Sequence, residues 1–94
     1  MVTEMNLVPV NLIEVVSEEA RDGVLIAEPR KIRIINLAEK MPPIYIMGSH
    51  DHLKSLFSNL IQNAINYSPD NIGRVVISVE ASPEEAVVSV QDNG

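Results

Sequence analysis

The chain has 94 residues, a formal net charge of −6 and no cysteine. This length suits one small domain, and 46% apolar residues favour a packed globular fold over a disordered chain. The negative charge argues against a nucleic-acid partner, the lack of cysteine excludes a disulfide framework, and no apolar run is long enough to span a bilayer, so we expect a cytoplasmic location.

The first predicted helix follows a lead-in over residues 1–10. Asn11 can act as its N-cap, because an asparagine side chain can accept hydrogen bonds from the first N–H groups of a helix, and Glu14 completes a box-like pattern. Apolar residues then recur at helical spacing as far as Pro29. Because the residue before a proline disfavours the helical conformation, the helix should end at or before Glu28.

Two short strands are predicted next. The segment KIRIINLA, residues 31–38, is rich in isoleucine and is expected to be buried on one face. Pro42 and Pro43 then force a turn. Residues 44–47 (IYIM) follow as a second strand, which Gly48 ends.

The second helix has the most regular apolar spacing in the chain, and a hairpin follows it. The helix should begin at Ser49 or Asp51 and end before residues 68–71 (SPDN). Residues 74–81 and 86–92 run as strands separated by a short turn, which predicts an antiparallel hairpin. The order α-β-β-α-β-β therefore predicts an α+β fold, a two-layer sandwich with two helices packed on one face of a four-stranded sheet.

Asn59, Asn63 and Asn66 are unusual residues for the interior of a helix, because asparagine competes for nearby backbone groups. At about 100° per residue, their side chains share a narrow arc at the shoulder of the apolar face, where they could line a pocket above the sheet. A neutral carboxamide oxygen suits Mg²⁺, which also binds substrate phosphates. Spacing alone favours the simpler interpretation that all three are solvated polar residues.

Two motifs place these asparagines in a wider context. The stretch NLIQNAINYS, residues 59–68, resembles the N-box of sensor histidine kinases, and the preceding GSHDHLKSLFS resembles the lead-in to that box. The VSVQDNG run, residues 88–94, resembles the strand that delivers the family's next box, Asp-x-Gly-x-Gly. The element order resembles the first half of the family's ATP-binding domain, the Bergerat (GHKL) fold. We therefore interpret residues 11–94 as a partial histidine-kinase-type ATP-binding domain.

The resemblance implies a role for individual residues. Asn63 resembles the family's magnesium-coordinating asparagine, and Asn59 resembles the asparagine that supports the metal and phosphate end. Tyr67 lies where the family has an aromatic residue near the nucleotide. Asp92 resembles the aspartate that accepts a hydrogen bond from the adenine amino group, and Gly94 resembles the first glycine of that loop. The implied cofactors are ATP and Mg²⁺, and no catalytic residue is assigned within the chain.

Two positions depart from the family pattern, of which Ser49, where an aspartate is common, is expected to affect only the helix cap. Asn66 occupies the slot where the family usually has Lys or Arg, so nucleotide binding should be weakened unless Lys54, Arg74 or a residue beyond the chain supplies the missing charge. His50 and His52 are expected to be surface residues at the start of the helix. Neither is predicted to be a phosphoacceptor.

The function implied by the resemblance is that of the ATP-binding part of a two-component sensor histidine kinase. The parent would transfer the ATP γ-phosphoryl group to a histidine on a separate dimerisation domain and would act on a response regulator. Since the chain ends inside the glycine box, we expect a fragment of a parent that can be membrane-anchored. We expect this fragment to be inactive alone, to bind nucleotide weakly and to self-associate through an exposed sheet edge.

Two alternatives stay open at this stage. The chain could be a degenerate half-domain that acts as a protein-interaction or dimerisation module without binding nucleotide. It could also belong to another ATPase of the same fold, such as an anti-sigma serine kinase or a mismatch-repair ATPase. The NAINYS sequence resembles the histidine kinases more closely than it resembles these ATPases.

Overall fold

The computed structural model describes residues 7–94, which form five strands, two helices and a short 3₁₀ turn. The elements are β1 (Val8–Asn11), α1 (Leu12–Ala27), the 3₁₀ turn (Glu28–Arg30), β2 (Arg33–Asn36), β3 (Tyr45–Gly48), α2 (His50–Tyr67), β4 (Arg74–Ala81) and β5 (Ala86–Asp92). The predicted α+β class, with two helices packed against sheet, is confirmed. Of the helices in this part of the chain, neither combines the length and the apolar character that crossing a bilayer requires.

The strands form two sheets, which differs from the single four-stranded sheet that we predicted. In the larger sheet β4 lies in the centre, parallel to β2 and antiparallel to β5. The strands β1 and β3 form a separate antiparallel ribbon. β1 overlaps the predicted lead-in, of which residues 1–6 lie outside the described residues. This strand was not predicted because it contains Pro9. Proline has no N–H to donate to a neighbouring strand and is therefore found in edge strands, and both strands of a two-stranded ribbon are edge strands.

The helix α1 begins and ends where its sequence predicted. The Asn11 Oδ1 accepts hydrogen bonds from the N–H groups of Ile13 and Glu14, at N···O distances of 3.2 and 3.4 Å. The N–H of Leu12 donates to the carbonyl oxygen of Ile44 at 2.8 Å, which ties the start of the helix to the segment before β3. This cap therefore fixes α1 relative to the β1–β3 ribbon.

The core lies between the two helices and one face of the larger sheet. Alternate residues of β4 are buried, as expected for a strand with one face against the helices. A Cβ atom at Gly23 would lie only 2.8 Å from Cγ2 of Ile61, so glycine in α1 permits the close approach of α2. The largest fully buried side chains are those of Ile61, Ile65, Ile77, Val15, Val16 and Val75.

Candidate functional site

Three asparagines of α2 lie on its exposed surface beside the buried face of the helix. Asn59, Asn63 and Asn66 are all exposed, while the apolar residues of the helix that face the core are buried. Within residues 7–94, none of the three asparagine side chains donates a hydrogen bond. The side chains at this helix and its C-cap that do so are those of Gln62 and Ser68. Their carboxamides are therefore accessible to water or to a ligand.

The Asp92–Gly94 segment lies against the C-terminal end of α2. Gly94 packs on the carbonyl oxygen of Tyr67 so closely that a Cβ atom at position 94 would collide with it. The N–H of Gly94 donates to the Asp92 Oδ1 at 2.9 Å. The fold thus brings together the last residues of the two motifs, although they are distant in sequence.

The five predicted site residues form an open surface, since each of them is exposed. Tyr67, Asp92 and Gly94 are grouped at the end of α2, and Tyr67 has 75% of its surface exposed. Asn63 and Asn59 lie about one and two helical turns before Tyr67 on the same helix. The arrangement is a row along α2 that ends at the Asp92–Gly94 segment.

Asn93 attaches this segment to the beginning of β4. Its Oδ1 accepts a hydrogen bond from the N–H of Arg74 at 2.8 Å, and its Nδ2 donates to the carbonyl oxygen of Ile72 at 3.0 Å. No role was predicted for Asn93 from the sequence. Its residue type could have indicated this role, because asparagine side chains often form hydrogen bonds with neighbouring backbone groups at turns.

Two further polar residues fix the C-terminal end of α2, and both were missed from the sequence. The buried Ser68 hydroxyl donates to the carbonyl oxygen of Ala64 at 2.8 Å. The Arg30 guanidinium donates to the carbonyl oxygens of Ile65 and Ser68 at 2.8 and 2.6 Å, and to the Asp70 carboxylate at 2.6 Å. The last carbonyls of a helix lack partners within the helix, so these contacts stabilise its end.

Lys54 does not supply the positive charge that Asn66 lacks. Lys54 lies about 18 Å from Asn66 along the helix axis, given a rise of about 1.5 Å per residue. It instead lies near Glu19 of α1, where its positive charge acts to lower the pKa of that carboxyl. Arg74 begins β4 and is held beside Asn93 by its backbone, so it is at the same end of the molecule as the candidate site.

An apolar groove lies beside the row of asparagines, since Leu56 and Leu60 are helical neighbours of Asn59 and Asn63. Its volume is about 310 Å³, and it runs between α2 and β5. None of the predicted site residues contributes to its lining. The groove is lined by Leu12, Ile46, Leu53, Leu56, Phe57, Leu60, Ala86 and Val88.

Comparison with known proteins identifies the family. Residues 48–94 match the family described as histidine kinase-, DNA gyrase B-, and HSP90-like ATPase. The chain is 37% identical over 90 residues to the sensor protein kinase PmrB of Pseudomonas aeruginosa, across 92% of this chain and 17% of that protein. It is 33% identical over 97 residues to the sensory histidine kinase/phosphatase NtrB of Azospirillum brasilense, across 87% of this chain and 24% of that protein.

The chain therefore belongs to the histidine kinase-, DNA gyrase B-, and HSP90-like ATPase family. Within it, the chain corresponds to the ATP-binding domain of sensor histidine kinases, as both motifs predicted. It spans only about a fifth of the length of these curated relatives. The catalytic domain of the histidine kinase ThkA has the same fold, with a TM-score of 0.79 at 24% identity over 96% of this chain and 60% of that one.

Proposed function

We propose that the chain is the ATP-binding part of a two-component sensor histidine kinase whose full-length form donates the ATP γ-phosphoryl group to a histidine on a separate dimerisation domain. The single observation that carries this proposal is the packing of Gly94 against the carbonyl oxygen of Tyr67. That contact joins the segment expected to recognise adenine to the end of the helix expected to hold the metal. In the parent, the further partner is a response regulator and the site of action is the cytoplasm.

At the phosphate end, Asn63 would coordinate Mg²⁺ through its Oδ1 and Asn59 would support the phosphates. Mg²⁺ takes few protein ligands and obtains others from phosphate oxygens and water, so one neutral amide oxygen is a suitable contribution. Bound Mg²⁺ would neutralise the charge of the phosphates. The residues on α2 would then position the nucleotide. Positioning accounts for much of the catalysis in phosphoryl transfer.

At the adenine end, Asp92 would accept a hydrogen bond from the exocyclic amino group. Its Oδ1 already accepts the N–H of Gly94, and a carboxylate has a second oxygen for the base. The exposed ring of Tyr67 offers an aromatic surface beside this position. Gly94 would let the backbone approach the ligand closely.

We further propose that this chain binds nucleotide weakly and does not phosphorylate itself. Asn66 offers no charge to the phosphates, and charge-assisted hydrogen bonds are roughly twice as strong as neutral ones. His50 and His52 are exposed at the first turn of α2, whereas Tyr67 ends that helix. Along the axis, His52 lies about 10 Å before Asn59 and about 16 Å before Asn63, which is too far for direct transfer from a phosphate held on Asn63.

Titration with millimolar Mg²⁺–ATP, followed by NMR amide shifts, tests the binding proposal. We expect shifts confined to residues 59–67 and 92–94, because these residues would surround the nucleotide. Asn63→Ala should remove the dependence of these shifts on Mg²⁺. Gln62→Ala is the matched control, since Gln62 is the exposed neighbour of Asn63 and has no role in the proposed site.

The result against this proposal would be an absence of shifts at millimolar nucleotide. Equal responses of the Asn63→Ala and Gln62→Ala variants to Mg²⁺ would instead remove Asn63 from the metal site while leaving nucleotide binding in place.

A second candidate function is an interaction module that self-associates without nucleotide. The apolar groove between α2 and β5 favours it, because Leu56 and Leu60 at its border are 50% and 40% exposed. Within residues 7–94, β5 is also hydrogen-bonded to another strand along one side only. An unpaired strand edge beside an apolar groove is a surface on which a second chain can pack.

A further inference from the structure

We propose that Arg30 is a positioning residue of the candidate nucleotide site, which sets the place of the Asp92–Gly94 segment by fixing the end of α2. The connection to nucleotide rests on the function proposed above. The connection between Arg30 and the Asp92–Gly94 segment is a property of the chain without ligand. The two can therefore be tested separately.

The Arg30 side chain bridges parts of the chain that are far apart in sequence. Its Nη1 and Nη2 donate to the carbonyl oxygens of Ile65 and Ser68 at 2.8 and 2.6 Å, and its Nε donates to the Asp70 Oδ1 at 2.6 Å. The Arg30 carbonyl oxygen accepts the N–H of Asn71 at 3.0 Å. The side chain is only 34% exposed. One planar guanidinium thus satisfies three acceptors in a fixed geometry, which the point charge of a lysine cannot do.

Both segments that Arg30 joins contain a residue with a positive φ. Lys31 has a φ of 55° and Asn71 a φ of 69°, a left-handed conformation that residues other than glycine rarely adopt. Such conformations persist where the surrounding contacts hold them. The bonds made by Arg30 across the junction are contacts of this kind, so the path of the chain after α2 depends on them.

The end of α2 transmits this constraint to the site. Ile65 lies in the last turn of the helix, and the carbonyl oxygen of Tyr67, two residues later, is the surface on which Gly94 packs. Gly94 in turn is bonded to the Asp92 carboxylate. A displacement of the last turn of α2 would therefore move Tyr67 and change the position of Asp92 relative to the asparagines earlier on the helix.

Arg30 is not a substitute for the cation that position 66 lacks. Three of its five N–H groups already donate to two carbonyl oxygens and the Asp70 carboxylate. The negative charge of Asp70 beside the guanidinium would repel a phosphate that approached the remaining two. The contribution of Arg30 is therefore to geometry and not to direct ligand contact.

The first test compares NMR spectra of the ligand-free wild type with those of Arg30→Gln. We expect the amide resonances of residues 92–94 to shift in Arg30→Gln, although Arg30 makes no hydrogen bond to that segment. Arg21→Gln is the matched control, because Arg21 is an exposed arginine of α1 whose ion pair with Glu39 is long, at 3.7 Å. It removes the same charge and should leave residues 92–94 unchanged.

A purely stabilising role gives a different result. It would lower the urea midpoint of Arg30→Gln while the resonances of residues 92–94 in the folded protein stay where they are, and that outcome would overturn the proposal. If Arg30→Gln does not fold, Arg30→Lys provides the same readout with a milder change, because it keeps the positive charge but loses the planar fork that bonds both carbonyls at the end of α2. It should shift residues 92–94 in the same direction by a smaller amount, and no shift would again overturn the proposal.

The second test measures Mg²⁺–ATP affinity in the same variants. We expect binding roughly tenfold weaker in Arg30→Gln, weakened less in Arg30→Lys, and unchanged in Arg21→Gln, because a site that is no longer pre-organised must be ordered when the ligand binds. A wild type that does not respond to nucleotide would contradict the proposed function but leave the ligand-free shift as the test of Arg30. Equal affinity of the wild type and Arg30→Gln would contradict the positioning role itself.

Discussion

At the scale of single residues, the proposed function makes position 66 the main departure from the family pattern. An uncharged side chain there offers the proposed phosphate site no cation. Lys54 lies about 18 Å from it along the helix axis, so Arg74 is the remaining candidate within the described residues. We expect Asn66→Lys to tighten Mg²⁺–ATP binding about fivefold, as suits an exposed charge-assisted contact. The gain should diminish as salt is added, because salt screens exposed charges. Isothermal titration calorimetry at two ionic strengths measures both effects.

The control for this prediction is His52→Lys. His52 is exposed on the same helix but lies about 21 Å from position 66 along the axis. It adds a similar charge about 10 Å before Asn59 along the axis, farther from the proposed phosphate positions than residue 66, which lies about 4.5 Å after Asn63. If His52→Lys tightens binding as much as Asn66→Lys, the effect comes from net charge, and position 66 has no local role.

Which residues could be predicted from the sequence depends on how far away their partners are. The cap made by Asn11 was predicted because its acceptor and donors lie within three residues of one another. Arg30 and Asn93 were missed because their hydrogen-bond partners are distant in sequence. The nearest partner of the Arg30 side chain is 35 residues away, and that of the Asn93 side chain is 19 residues away. No periodicity or spacing rule reports such contacts. The placement of Gly94 against Tyr67 likewise required the fold.

At the scale of elements, local patterns predicted the helices and the hairpin better than they predicted how strands pair. The bounds of α2, β4 and β5 follow from apolar periodicity and turn residues that lie within each element. β2 is shorter than predicted because the left-handed Lys31 precedes it and a turn follows Asn36. The pairing of β1 with β3 depends on the whole α1 segment between them, so the strand sequences alone could not reveal it.

The packing of α1 against α2 leaves one acidic group in an unfavourable position. Glu19 is 5% exposed, and within the described residues its Oε2 has no hydrogen-bond partner. Burial raises the pKa of its carboxyl, and the neighbouring carboxylates of Asp22 and Glu18 raise it further, whereas Lys54 on α2 opposes them. The folded state therefore favours the protonated form. Protonated Glu19 therefore stabilises the folded state relative to the unfolded state. This contribution is complete below the ordinary pKa of a glutamate and is lost as the pH rises through the raised pKa.

We therefore expect Glu19→Gln to increase the free energy of unfolding at neutral pH by about 0.5 to 1 kcal/mol, because it removes a buried charge whose oxygen lacks a partner. The increase should vanish in acid, where the wild-type carboxyl is protonated. Urea unfolding as a function of pH measures this difference. Glu18→Gln, one residue away and less buried, should show a much smaller change. A Glu19→Gln variant that is less stable at neutral pH would show that the carboxylate is favourably solvated.

At the scale of the whole molecule, the described residues 7–94 combine one unpaired edge of β5 with an apolar groove beside it. β5 contains no lysine, proline or glycine of the kind that discourages edge pairing, and its sequence AVVSVQD is mostly apolar. The groove beside it is lined entirely by apolar residues. The net charge of −6 acts against association, since copies of the chain repel one another. Self-association should therefore strengthen with added salt, which is the opposite of the salt effect expected for the Asn66→Lys variant.

The groove itself can be tested by placing a charge at its border. Leu56 lines the groove and is 50% exposed, so Leu56→Glu can be introduced without filling the core. We expect this variant to remain monomeric at concentrations where the wild type forms dimers in sedimentation equilibrium. Leu25→Glu is the control, because Leu25 is 72% exposed on α1 and does not line the groove. If both variants associate like the wild type, the groove is not the contact surface, and if both become monomeric, general negative charge is the cause. Dissociation by Leu56→Glu alone would assign self-association to the groove, whose leucines are helical neighbours of Asn59 and Asn63.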